Sequence, residues 1–345
     1  MGMKKTVVAF LSLTLILFSC ADKKNSPDVS AIKAEVTLNR FDQDFFAIDT
    51  LAPQNALPEL QQKYPILLPI FLQNILGIDS ATLQSGVASF IRLSKSIHDT
   101  VNIVFKNTDW LRKDFELAFK NVKYYFPKYP VPTVNTIIGP IDLLAKTSDG
   151  YSPDFIGPNL LGISLQFYLG KDFSLYSDEF FITNVAPQYR SRRFEKEYIV
   201  ADAMKLVVDD LYPDNTSGKP LIDQIIGKGK QWWLLDKLLP GTADSLKTGF
   251  TADQLRWCAS NEGLIWNYIT SGENLYSIDP AVLQIYIGES PSTQGMPAES
   301  PGNIGAWIGW QIVEKFAKKN AGIKPADLMA ADTKKILEEA KYKPK

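Results

Sequence analysis

Val134-Asn135-Thr136-Ile137-Ile138-Gly139 is short and β-branched, and Ile163-Ser164-Leu165-Gln166-Phe167-Tyr168-Leu169 alternates strongly apolar residues with more polar ones. The first segment suits a strand, and the second a half-buried strand with one face turned inward. A loop rich in Gly, Pro and Asp separates them. The two segments predict a small central sheet. On both sides of it the pattern returns to helical spacing.

Upstream, residues 35–125 read as helical. Phe41, Phe45, Phe46 and Ile48 begin an amphipathic stretch, and a proline-marked apolar segment runs from Tyr64 to Leu72. Thr108-Asp109 opens a helix that places Trp110, Leu111, Phe115, Ala118, Phe119 and Val122 at helical spacing. Downstream, Phe194 to Tyr212 predicts a helix with Glu195 and Glu197 near its positive end. Thr251 to Thr270 predicts another, opened by the capping box Thr251-Ala252-Asp253-Gln254. The last long helix is expected from Ser300-Pro301 to the lysines 315, 318 and 319. The fold class that follows is α+β, mainly helical with a small central sheet.

The start of the chain carries a different message. Lys4 and Lys5 precede an apolar run from Thr6 to Phe18, the layout of an export signal. At about 13 residues the run is too short for a bilayer core, which needs about 20. It ends in Leu17-Phe18-Ser19-Cys20, which resembles a lipobox, so Cys20 is expected to carry a lipid and become the new N-terminus. Residues 1–19 are then the signal peptide, 20–34 a polar tether, and 35–345 a single globular domain. No second apolar stretch of membrane-spanning length follows.

The formal charge is −1, with no basic excess that would suggest nucleic acid. Apart from Cys20 there is one cysteine, Cys258. No internal disulfide is expected, and Cys258 reads as a small buried apolar residue. One histidine, His98, occurs in the whole chain. Its neighbour Asp99 would point about 100° away on a helix, so a surface or capping role is preferred over catalysis. A site needing two histidines at i and i+4 on one helix lacks its ligands, and neither metal nor other cofactor is expected.

Asp202, Lys205 and Asp209 lie three and four residues apart. They form either a cleft wall or a solvated stripe opposite Ala201, Met204 and Val208, and the stripe is preferred. Glu262 shares the apolar face of Leu255, Cys258, Ile265 and Ile269. A carboxylate there must be paired, hydrogen-bonded or protonated; an Arg or Lys partner is expected, and a functional acid is the alternative. Residues 288–309 are the densest in Gly and Pro. Gly302, Gly305 and Gly309 on one face predict close packing of another backbone rather than a nucleotide loop.

These last residues carry a resemblance. Ser300-Pro-Gly-Asn-Ile-Gly-Ala-Trp-Ile-Gly-Trp-Gln-Ile-Val313 is similar to the C-terminal signature of the gliding-motility lipoprotein B family (GldB) of Bacteroidetes. The segments 239–246 and 255–266 resemble the part before it, 193–200 its central helix, and Arg40-Phe-Asp-Gln-Asp-Phe-Phe46 its opening. The resemblance implies an envelope lipoprotein needed for gliding and tied to type 9 secretion, with no established catalysis. Its implied partners are the membrane, through the lipid, and envelope proteins of the gliding or secretion machinery. With no acidic run after Cys20, the body is expected on the periplasmic face of the outer or inner membrane. The layout also resembles, more distantly, a degenerate zincin. In such zinc peptidases the helix near 194–212 carries His-Glu-x-x-His, whereas this chain has Tyr198-Ile-Val-Ala-Asp202. Glu262 would then be the relic of a later acidic ligand.

The function expected is non-catalytic partner binding. The alternatives are a hydrolase using Glu262 and Asp202 as paired carboxylates, or a glycan or peptide binder using Trp232, Trp233, Trp307 or Trp310.

Overall fold

The computed structural model describes residues 26–147 and 150–344. The export signal and Cys20 lie outside the described residues. The chain is mainly helical around a four-stranded sheet and a separate two-stranded one. In the larger sheet β1 (Leu38–Asn39) pairs parallel with β2 (Thr133–Ile137). The hairpin β3 (Ala145–Thr147) and β4 (Gly150–Ser152) stands apart. β5 (Phe155–Gly157) pairs antiparallel with β6 (Leu160–Ser164), which runs parallel to β2.

The sheet divides two cores. Val134, Leu161 and Ile163 face the large helical core. Ile137 and Leu160 face a smaller aromatic cluster of Phe41, Phe45, Tyr64 and Phe71, whose rings meet edge to face at about 5 Å. The N-terminal helices build this second cluster. Covered on both faces, β6 is buried along its whole length, and its sequence therefore shows no clean alternation.

That burial corrects the strand expected over 163–169. The strand ends at Ser164, and Leu165–Phe167 is a 3₁₀ turn. The ladder stops because Ser164 spends its groups on the preceding loop. Its N–H donates to Asp154 Oδ1 at 2.9 Å, and its hydroxyl donates to the Pro153 carbonyl at 2.6 Å. Leu165, Gln166, Phe167 and Tyr168 are all buried, so polar residue types mimicked an outward face.

Three helices also differ from expectation, and the one expected from Phe194 starts only at Ile199, after a 3₁₀ turn over Lys196–Tyr198. The 251–270 segment is two helices, Ala252–Ser260 and Glu262–Thr270, broken at Asn261. The Asn261 amide donates to the Trp257 carbonyl at 2.8 Å, a local side-chain bond that competes with helix continuation. The capping box of Thr251 and Gln254 forms in both directions. The last long helix starts at Ile304 rather than Ser300, with Asn303 left-handed before it. Ser300 is fully buried and its hydroxyl receives the Thr293 N–H at 3.3 Å. It ties the glycine-rich loop down instead of capping a helix.

That helix, Ile304–Lys319, packs on Leu221–Leu238 at the expected Gly309 and at Gly229, which the sequence reading did not single out. A Cβ on Gly309 would stand 1.9 Å from the Ile225 carbonyl oxygen, and one on Gly229 would stand 2.1 Å from the Gly309 carbonyl carbon. Gly302 lies before the helix and instead lets Ser290 approach. Cys258 is buried as expected, and burial pushes its thiol up to about 12.

Candidate binding cleft

The helix Ile199–Leu211 buries Ala201, Met204, Val207 and Val208, leaving Asp202, Lys205 and Asp209 on its other side. These three do not form the solvated stripe preferred from the sequence. The Asp202 and Lys205 side chains are only 21% and 19% exposed and pair at 3.0 Å. Together with Asp209 they wall a narrow cavity of about 50 Å³, which also touches Tyr151, Arg190 and Arg193. The sequence pattern alone misleads because the hairpin β3–β4 and the 188–194 turn cover that face. Asp209 also accepts a 2.6 Å hydrogen bond from Gln231.

The two arginines that line the cleft grip one carboxylate, Glu289, just outside it. Arg190 Nε lies 3.1 Å from both Glu289 oxygens, and its Nη2 donates to Oε2 at 2.8 Å. Arg193 Nη2 donates to Oε1 at 2.6 Å. The Tyr151 ring lies 4.3 Å from the Arg190 guanidinium carbon, a cation–π contact. Bidentate guanidinium–carboxylate pairing fixes geometry as well as charge. The glycine-rich segment thus brings its own anion, Glu289, to the arginines. Sequence reasoning missed all three residues; the cluster Arg190, Arg192 and Arg193, with an acid opening the glycine-rich run, was the available signal.

Behind this wall sits Asp154, fully buried. It accepts from the Tyr168 hydroxyl at 2.7 Å and from Ser164 N–H. Burial pushes its carboxyl up to about 7, partly countered by those two hydrogen bonds, and the nearby Asp202 charge raises it further. The unfolded carboxyl titrates near 3.8. Between roughly pH 4 and pH 7 the folded chain therefore holds a proton that the unfolded chain has lost, and this group's contribution to stability falls as pH rises. Above that window the penalty is constant. Asp154→Asn should flatten the difference profile and gain about 2 to 4 kcal/mol at pH 8 relative to the parent. Urea melts at pH 4 and pH 8 check this, and parallel profiles for the two proteins would refute it.

Glu262 lies elsewhere. It is half-buried rather than buried, and its Oε1 accepts a 2.5 Å bond from the Tyr342 hydroxyl. The expected Arg or Lys partner is thus replaced by a phenol from the C-terminal tail. Tyr342 is drawn from far along the chain, where no local pattern announces it. Glu262 does not line the Asp202 cleft, which removes the paired-carboxylate hydrolase. The rings of Trp232, Trp233, Trp307 and Trp310 are all at most 6% exposed, which counts against the tryptophan-based binder, and of the four only Trp232 reaches the lining of the cleft.

His98 lies within the Lys95–Val104 helix and does not cap it. Its ring stacks on Phe46 at 4.5 Å and lies 3.0 Å from the Asn102 amide. Burial, the largest influence, lowers its pKa. At the positions where a zincin would carry histidines, Tyr198 is buried and Asp202 faces the cleft. Among the described residues no group of three His, Cys, Asp or Glu could hold a metal ion.

A family model described as gliding motility protein GldB matches residues 22–344. The match takes in most of the tether and nearly all of the final residues, which the similar segments quoted from the sequence do not reach. No curated protein and no solved structure matches the chain.

Proposed function

The chain belongs to the gliding motility protein GldB family, and from that premise we propose that it serves gliding as a lipid-anchored, non-catalytic partner-binding protein of the cell envelope. On this reading Cys20 carries the anchor and the body works on the periplasmic side, with envelope proteins of the gliding and type 9 secretion machinery as partners. The observation that carries the binding role is the cleft between the β3–β4 hairpin, the 188–194 turn and the 199–211 helix. Its cations Arg190, Arg193 and Lys205 already hold carboxylates of the same chain. Such a surface recognises polar groups by exchange of hydrogen bonds, and among its described residues there is no nucleophile poised beside a base. Among the described residues no helix is long and apolar enough to cross a membrane, which agrees with attachment by lipid.

Two substitutions test the reading. Cys20→Ala in a gliding-competent host should shift most of the protein from the membrane fraction to the soluble fraction and impair spreading. Fractionation and colony spreading read this out; normal spreading with a soluble protein would overturn it. Tyr151→Ala removes a ring that is about half exposed and rests on Arg190, so folding should survive. Co-purification of envelope proteins with the intact lipoprotein should then weaken. Unchanged capture would move the binding role away from the cleft.

A further inference from the structure

A second concavity lies on the far side of the 199–211 helix. It is a groove of about 710 Å³, mostly apolar, whose walls include Leu117, Ala118, Val200, Leu239 and Leu246. Leu117 is 57% exposed there, so a large apolar side chain faces water. One wall is made by Ser26, Pro27 and Val29, where the described chain begins. Five residues lie between Cys20 and Ser26, six chain steps with a reach of at most about 20 Å. Any lipid on Cys20 is therefore held within a short radius of the groove, at high effective concentration.

The groove also holds an unmet polar group. Asn121 is 2% exposed and lines it. The Asn121 amide nitrogen donates to the Leu117 carbonyl at 3.0 Å, while Oδ1 is buried without a hydrogen-bond partner. A buried acceptor without a donor costs stability, and a backbone N–H of an entering peptide would satisfy it. Burial raises the carboxyl of Asp114 at the rim, in keeping with a partly dried surface.

We propose that residues 20–25, with an acyl chain carried by Cys20, occupy this groove, the acyl chain lying against Leu117, Val200 and Leu246. This rests on the lipoprotein reading of Cys20. The anchor would then do more than tether: it would fix the body's orientation towards the membrane that holds the remaining acyl chains.

Feeding cells a palmitate analogue with a terminal photo-crosslinker, irradiating them and purifying the intact lipoprotein tests this. Mass spectrometry of the N-terminal peptide first reports whether Cys20 is acylated. Adducts on the peptides covering 110–121, 200–201 and 238–246 are expected. Leu117→Glu should lower their yield several-fold with acylation and thermal unfolding unchanged. Acylated Cys20 with adducts elsewhere overturns the groove proposal while leaving the lipoprotein reading intact. The same adducts on a Cys20→Ala chain would mean that a free fatty acid is bound, and also overturn it. An unacylated Cys20 overturns both readings.

Discussion

Gly309→Val is expected to cost about 4 kcal/mol or more of folding stability, near the upper end for a single substitution. The helices 221–238 and 304–319 touch backbone to backbone: Gly309 meets the Ile225 carbonyl, and Gly229 meets Gly309 in return. A side chain there collides with main-chain atoms, which cannot turn away as a flexible side chain does. The helices must separate, and the separation opens voids around Ile226, Trp232 and Ile308, all within the same core. Domains of this kind hold only about 5–15 kcal/mol in total. Urea denaturation should show a sharply lower midpoint or loss of the cooperative transition. Gly241→Ala, whose Cβ meets nothing within 4 Å, should stay within about 0.5 kcal/mol of the parent. A Gly309→Val protein as stable as that control would show that the helices do not pack this closely.

The second large effect concerns a buried ion pair near the same helices. Lys247, on the short helix Asp244–Thr248, is 4% exposed at its side chain and pairs with Asp236, which is 1% exposed. It also reaches Asp244 at 2.8 Å and stands 5.9 Å above the Trp310 ring. Lys247→Ala strips Asp236 of its ammonium partner in a site that water does not reach, which costs about 3–5 kcal/mol. Pairing the change with Asp236→Asn should recover much of that loss, because the deficit comes from leaving a charge behind rather than from losing an attraction. A double-mutant cycle in urea measures both. Equal destabilisation by the single and double variants would locate the effect in lost packing instead.

Much of the local structure was legible in residue spacing. The 109–125 helix buries Leu111, Phe115, Ala118, Phe119 and Val122, four of them spaced by three or four residues. The Thr251–Gln254 box reports its own geometry because both partners lie within one turn. The close-packed glycines were readable because only a missing side chain explains their repeat. The end of β6 was not, since Asp154, ten residues earlier, takes the N–H that would have continued the ladder. The candidate cleft was the least legible part: Arg190 and Glu289 stand 99 positions apart, and no local period links them.

What the sequence alone determined is therefore what depends on neighbours along the chain: the helical content and the small sheet. It also fixed the family, through segments spread over most of the length. Only the tertiary structure decided which charged residues share a surface. The stripe at Asp202, Lys205 and Asp209 became a cleft wall because other elements cover it, and Glu262 met Tyr342 instead of a cation. Spacing reports which face of a helix a residue occupies, whereas burial and pairing depend on what the rest of the chain lays against that face.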